Sequence, residues 1–273
     1  MDQEKLLVIG NGPGDLPMDV GKWPRVTFNA VNNTLAEPNE IRVMNSKTAG
    51  RLGPDLQFLV SSEHFSRKWC RQFQAQLLLT AMELKAELNC VPSTGLVSLR
   101  VLSGMKMPLC IYRMTLCPSL MRQPEMSQRK PLPAAFHNWL GERRLALQLW
   151  QNAADSLYWP QLHFPLENNA ENESGCGDPA SELLQWFTSS EGQPESGNTD
   201  ELNRLSELPL ASWLLSADDQ KLRELECFFF LSRYKRATPN WWLYRNNLSS
   251  VINDLQLRLM QVQQYLSNLP LAN

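Results

Sequence analysis

Apolar positions in the first half of the chain fall into short runs separated by turns. Leu6–Ile9, Arg25–Val31, Ile41–Asn45 and Leu56–Ser61 are four such runs, each with the length and aliphatic content of a buried strand. Between Ser66 and Leu88 the period changes. Trp69, Phe73, Leu77, Ala81, Leu84 and Leu88 recur every three or four residues, which places them on one face of a helix of about six turns. Cys90-Val91 leads into the turn Pro92-Ser93-Thr94-Gly95; Leu96–Leu102 reads as a further helix and Met107–Met114 as a further buried strand. Strands alternating with helices predict an α/β fold on a mainly parallel, doubly wound, Rossmann-like sheet.

The second half reads differently. Pro118 to Pro133 holds four prolines in sixteen residues and is expected to be a loop, a mobile lid beside the site. A helix is expected from near Ala134 to about Leu157. Residues 165–200 are polar and read as a variable surface insertion around a short helix at Pro179–Phe187. Asp218–Lys235 carries Leu222, Leu225, Phe228, Phe229 and Leu231, and Asn240–Leu269 carries Trp242, Leu248, Val251, Leu255, Leu259, Val262 and Leu266. Thr238-Pro239 breaks between them, because proline has no N–H to donate and disfavours helix before itself. The two segments predict a C-terminal helical hairpin, with packing on the chain's own body preferred to a coiled coil. The expected divisions are an α/β domain over 1–160, an irregular insertion with a short helix over 161–215, and a helical region over 216–273 packed on the core.

Composition narrows the function classes. A chain of 273 residues with 43% hydrophobic and 20% charged residues can bury a substantial core. A net charge of -2 and a pI near 6.0 give no electrostatic footprint for nucleic acid; the densest basic run, Arg233–Arg236, has three cations. Cysteines at 70, 90, 110, 117, 176 and 227 show no CxxC spacing, so the expectation is reduced thiols, mostly packed inside, and no metal site. The N-terminal Met-Asp-Gln-Glu-Lys enters a strand without a leader-like apolar segment, and no apolar stretch approaches the ~18–20 residues that span a bilayer. A cytoplasmic protein of bacterial type is expected, with at most peripheral membrane contact and homo-oligomerisation left open.

Three stretches carry candidate chemistry. Gly10-Asn11-Gly12-Pro13-Gly14 follows the first apolar run, so it reads as the turn leaving a buried strand. Glycines there let backbone N–H groups approach a phosphate, and the Asn amide adds a donor. The turn is neither GxGxxG, since position 15 is Asp15, nor a Walker loop. Asn29 closes the next strand and is expected to point its amide into the same crevice. Pro92-Ser93-Thr94-Gly95 is a donor-rich turn before a helix. His137, followed five residues later by Glu142, is the candidate general base. Parallel sheets bind ligands beyond the carboxyl ends of their strands, where both turns should lie. A nucleotide cradle, an anion-binding turn and a base together predict group transfer from an activated nucleotide.

These residues also carry a family resemblance. Val8-Ile9-Gly10-Asn11-Gly12-Pro13 with Phe28-Asn29 resembles the first nucleotide-binding motif of the sialyltransferases, bacterial and eukaryotic-type alike. Pro92-Ser93-Thr94-Gly95-Leu96 resembles the start of their second motif, and His137-Asn138-Trp139-Leu140-Gly141-Glu142 is similar to their short final motif. The three stand in the family's order over residues 6–142, about half the chain, with Gly14 where the family has Ser. The resemblance implies a CMP-sugar donor, CMP-sialic acid or CMP-Kdo, held by Gly10, Asn11, Gly12, Asn29, Ser93, Thr94 and Gly95. Asn11 and Asn29 would contact the CMP; Ser93, Thr94 and the Gly95 amide would hold phosphate or sugar carboxylate. His137 would deprotonate the acceptor hydroxyl of a glycan or glycolipid with inversion, and Glu142 would orient it. No metal or other cofactor is implied, in keeping with the lack of an Asp-x-Asp motif. Tyr112, Tyr158 and the Arg129-Lys130 pair remain open as donors to the departing phosphate. The alternative is a scaffold of surface-polysaccharide assembly that keeps the nucleotide fold without activity. His64 reads as a capping or surface residue, His163 as a core or surface histidine, and Trp241-Trp242 as core packing or an interface before sugar stacking.

Overall fold

Leu6, Leu7, Val8 and Ile9 are all buried, and a strand apolar on both faces belongs in the middle of a sheet. That strand, β1 (Leu6–Ile9), pairs in parallel with β2 (Arg25–Phe28) on one side and with β5 (Leu109–Tyr112) on the other. The computed structural model describes residues 5–29, 38–45, 57–63, 65–105, 107–127, 130–165, 177–189, 199–231 and 240–268. They form two units, 1–116 with 148–163, and 117–147 with 164–273. Each unit is thus discontinuous in sequence, whereas the expected boundaries were contiguous at 160 and 215. His64, Arg129, Cys176, the Arg233–Arg236 run and the Thr238-Pro239 break lie outside the described residues.

The first unit is α/β. Its mixed, mostly parallel sheet has six strands in the order β4-β3-β2-β1-β5-β6. β3 (Glu40–Asn45) runs parallel to β2, β4 (Phe58–Ser62) is antiparallel to β3, and β6 (Leu157–Tyr158) is parallel to β5. The chain steps outward from β1 to β4, then returns through α1 (Arg67–Leu88) and α2 (Thr94–Ser103) to lay β5 on the far side of β1. The strand order therefore reverses between β1 and β5, which makes that point the topological switch of the sheet.

Local rules explain the helices. Ser66 caps α1 by accepting from the Trp69 N–H at 3.2 Å, and Asn89 ends it in the left-handed region at φ 54°, as a C-terminal cap requires. Phe73, Leu77, Ala81, Leu84 and Leu88 form its buried stripe. The sheet's two faces differ. Leu6, Val8, Val26, Phe28, Ile41, Val43, Leu109 and Ile111 share one face by register and are all buried. The other face carries Arg25, Thr27, Glu40 and Arg42, where Thr27 Oγ1 donates to Glu40 at 2.6 Å and Arg42 pairs with Glu40 at 2.9 Å. The β1–β2 connection holds only one 3-10 turn, Val20–Lys22, in place of a helix.

The second unit is helical. α3 (Trp139–Asn152) begins later than expected, because Pro133–Phe136 forms a 3-10 turn and His137 is extended at φ -121°, ψ 141°. α3 also ends earlier than expected, since Leu157 has left the helix for β6. The short helix expected at Pro179–Phe187 is α4 (Pro179–Ser189), and two unexpected helices, α5 (Thr199–Glu207) and α6 (Leu210–Ser216), follow it. They are not peripheral. Leu183, Phe187, Leu202, Leu205 and Trp213 have no exposed surface and sit in the unit's core with Trp242, Ile252 and Leu255. Asp178 caps α4 through the Ser181 N–H at 2.9 Å and pairs with Lys221 at 2.6 Å. Burial alone would raise the Asp178 carboxyl, but the Lys221 ammonium and the Ser181 donors outweigh it and hold the group well below the usual carboxylate range.

α7 (Asp219–Glu226) is shorter than the predicted arm of the hairpin and passes into the 3-10 turn Cys227–Phe229. α8 (Asn246–Asn268) packs on α5, α6 and the 3-10 turn Trp241–Tyr244, so its apolar stripe is spent inside its own unit. Its polar stripe is occupied too. Asn246, Ser249, Asn253 and Gln256 recur at helical spacing and hold Arg122, Leu120, Pro118, Pro124 and Met126 by hydrogen bonds of 2.8–3.4 Å. Arg122, 3% exposed, also donates to the Ser127 and Lys130 carbonyls. The described part of the proline-rich loop is thereby pinned to α8, contrary to the expectation of a mobile lid. Among the described residues no helix is long and apolar enough to cross a membrane.

Candidate functional site

The Gly10–Gly14 turn leaves β1 at the switch point and runs directly against the chain leaving β5. Gly10 N–H donates to the Tyr112 carbonyl and Gly12 N–H to the Arg113 carbonyl, each at 2.9 Å. Those two amides are committed to the main chain, which corrects the expectation that they cradle a phosphate. Glycine is needed for a different reason: a Cβ at Gly10 would stand 2.2 Å from the Arg113 carbonyl oxygen, and one at Gly12 2.9 Å. Gly10→Ala is expected to destabilise the protein by about 3 kcal/mol, because the obstacle is backbone. At Gly95 the nearest atom, at 2.5 Å, is the end of the Met114 side chain, which can move, so Gly95→Ala should cost under about 1.5 kcal/mol. Urea unfolding of the two variants checks the order.

The other first-unit residues named from sequence converge. Asn11 Nδ2 donates to the Phe28 carbonyl at 3.1 Å, tying the turn to the end of β2. Asn29, left-handed at φ 48°, continues the ladder through its N–H to Val43 and accepts from the Asn45 N–H through Oδ1 at 3.0 Å. The side-chain amides of Asn29 and Asn45 both reach Thr94 Oγ1, at 3.4 Å each. Thr94 is 6% exposed. A hydroxyl has two lone pairs and one proton; with both lone pairs met by amides, the Thr94 O–H is left to donate. Ser93 accepts from the Leu96 N–H at 3.2 Å as the α2 cap. Asn45 belongs to this cluster and was not named as a site residue from sequence; its position as the last residue of β3, the strand beside β2, is the signal that points to it.

Arg113 was also missed. It directly follows the last residue of β5, at φ 55°, and Leu116 lies at φ 51°. Non-glycine residues in this region are uncommon, and such strain gathers at functional positions. Arg113 Nε donates to the Gly14 carbonyl at 2.7 Å, so its side chain and carbonyl together clamp the glycine turn. Trp159, 2% exposed, donates to the Met114 carbonyl at 2.7 Å and fixes the next residue. Tyr112 and Tyr158 face each other with ring centroids 6.1 Å apart. Burial foremost, then Cys110 and Tyr158, raise the Tyr112 hydroxyl above its ordinary value.

His137 and Glu142 lie in the second unit and meet. His137 Nδ1 stands 3.7 Å from Glu142 Oε1; the imidazole is 27% exposed and the carboxylate fully buried. The turn that joins them is well specified. Asn138 Oδ1 accepts from the Gly141 N–H at 2.9 Å as the α3 cap, and Asn138 Nδ2 donates to Glu226 at 3.1 Å. Glu226 in turn accepts from Arg144 Nε at 2.7 Å. Of the remaining candidates, His163 packs edge-on to Trp150 at 4.5 Å within the first unit. Trp242 is fully buried, donating to the Phe228 carbonyl at 2.8 Å, and Trp241 packs on it at 5.6 Å. The pair is core.

A cleft of about 270 Å³ lined by Gln57, Phe58, Arg71, Gln74, Ala75 and Leu78 contains none of these residues. Among the described residues no group of three or more His, Cys, Asp or Glu could hold a metal ion. Cys70, Cys90, Cys110, Cys117 and Cys227 are free thiols; burial raises Cys70, Cys110 and Cys117, which keeps them protonated, and Cys227 is exposed. Comparison with protein-family models, with curated proteins and with solved structures found no match to this chain.

Proposed function

We propose that the first unit is a Rossmann-like nucleotide-binding domain, and that the chain is an inverting glycosyltransferase moving a sialic-acid-like or Kdo-like sugar from CMP to a glycan or glycolipid acceptor. One observation carries the reading. Three segments far apart in sequence, ending in Asn11, Asn29 and Thr94, are joined through Asn45 and Phe28 into one hydrogen-bonded cluster at the carboxyl ends of β1–β3. In a parallel sheet that is where a nucleotide binds.

The chemistry asked of each group is modest. The Thr94 O–H donates to the nucleotide, and Asn11, exposed at the turn, offers its Oδ1 as an acceptor. A sugar leaving from CMP passes through an oxocarbenium-like state, so the acceptor hydroxyl needs little activation. The departing phosphate monoester needs fixed donors more than it needs a strong acid. His137, steadied by the buried Glu142 carboxylate, takes the acceptor proton.

Calorimetric titration with CMP, CDP and UMP tests the reading. CMP should bind in preference to UMP, and Thr94→Val should weaken it about tenfold by removing a donor of typical strength. A folded protein that binds no CMP would overturn the proposal. A scaffold acting through its C-terminal helix would need a free apolar face on α8, and the stripe from Leu248 to Val262 is buried in the second unit's own core.

A further inference from the structure

We propose that Arg113 is the phosphate-binding group of the first unit, with Gln161 beside it taking a hydroxyl of the same ligand, so that the switch point binds a nucleoside monophosphate through its phosphate and sugar. Arg113 is held as a binding arginine would be. Nε is bonded to the Gly14 carbonyl at 2.7 Å, which fixes the plane of the guanidinium. Its two terminal nitrogens have no partner among the described residues. A planar fork with both outer nitrogens available matches two oxygens of one phosphate. The residue is half-buried at the carboxyl end of β5, directly against the glycine turn of β1, and its backbone is held at φ 55°. Such a conformation needs a compensating use.

Gln161 supplies an independent observation. Its amide lies along Gly14, with Nε2 3.3 Å from where a Cβ would stand on that glycine. Its Oε1 is buried and meets no donor among the described residues. An acceptor left unsatisfied in the interior is costly, and a ligand that brings an O–H removes the cost. A bare phosphate dianion brings none. A nucleoside monophosphate brings the anion for Arg113 and sugar hydroxyls for Gln161. Gly14 suits this place because φ 129° strains any side chain, and a Cβ there would stand 3.3 Å from Gln161 Nε2.

The inference rests on the proposed nucleotide reading for the identity of the base, and not for the phosphate. The test is calorimetric titration of the wild-type chain and Arg113→Gln with CMP, UMP, GMP and cytidine. The expected result is CMP binding at least tenfold tighter than cytidine, falling about 10- to 100-fold in Arg113→Gln while cytidine affinity holds. CMP affinity within twofold of wild type, or CMP and cytidine weakening in parallel, would overturn the role of Arg113 and leave the CMP reading standing. Arg113-dependent binding of UMP or GMP in place of CMP would uphold the phosphate site and remove the CMP reading. No mononucleotide binding by the folded wild type would remove both. Should Arg113→Gln not fold, Gln161→Leu reads the same site, with CMP expected to weaken about tenfold.

Discussion

Replacing Glu226 by Ala is expected to cost about 3–5 kcal/mol of stability, the largest loss predicted for any single side chain here. Glu226 and Arg144 are 6% and 7% exposed, and the pair is close at 2.7 Å. Taking two charges out of water is expensive, and their attraction repays it only while both are present. Deleting the carboxylate leaves the Arg144 guanidinium buried without that partner, and it also deprives Asn138 Nδ2 of its acceptor. The damage then spreads along the chain, because the same Asn138 side chain caps α3 through Gly141. Urea denaturation of Glu226→Ala and of the double variant Glu226→Leu/Arg144→Met checks this. The double variant should recover most of the loss, since an apolar pair of similar volume carries no desolvation cost. A single variant within about 1 kcal/mol of wild type would show that water reaches Arg144 and that the pair behaves as a surface one.

How far the chain could be read from sequence depends on whether local pattern or tertiary partner fixes a segment. α1 was legible because its stripe from Phe73 to Leu88 is purely helical in period and is bounded by a Ser cap and an Asn end. β1, β3 and β5 were legible as apolar runs too short for helices. β6 was not: two residues, Leu157 and Tyr158, take strand geometry only by pairing with Leu109 and Cys110, and no local signal predicts that. α5 and α6 were hidden by their short length and polar flanks, although Leu202, Leu205 and Trp213 are the residues that bury them. The α3 start was misplaced because Ala134-Ala135 suits a helix locally, whereas Asn138 is the cap that wins.

The candidate site divides in the same way. Gly10, Asn11, Asn29 and Thr94 were named because each stands at a strand end or a helix start, positions that sequence marks. The partners that give them a role could not be named. Asn45 matters only because β3 lies beside β2, and Arg113 only because β5 returns to the far side of β1. The glycines were read as a phosphate cradle because glycine reports that something comes close; sequence does not say whether it is a ligand or, as at Gly10, a neighbouring carbonyl.

His137→Ala is expected to lower turnover by about 10²- to 10⁴-fold, the range for loss of a general base, with CMP affinity within twofold of wild type. The separation follows from where the groups sit in the chain's architecture. The cluster proposed to bind the nucleotide is built from β1, β2, β3 and α2 of the first unit, whereas His137 belongs to the second. His137 itself is extended and about a quarter exposed, so its removal should leave α3 and its Asn138 cap in place. Glu142→Gln asks a finer question. At 3.7 Å the contact is an ion-pair distance, too long for a hydrogen bond. The carboxylate would therefore act by its charge, favouring the imidazole once it has taken a proton. The amide keeps the shape and loses the charge, so kcat should fall about tenfold with KM nearly unchanged. Initial-rate measurements with CMP-sialic acid and CMP-Kdo against a panel of oligosaccharide acceptors give both numbers. Transfer that survives His137→Ala would remove the imidazole from the mechanism. Transfer that is lost together with CMP binding would make its role structural. Turnover lost with binding retained, and a smaller loss for Glu142→Gln, would assign His137 the proton and Glu142 its support.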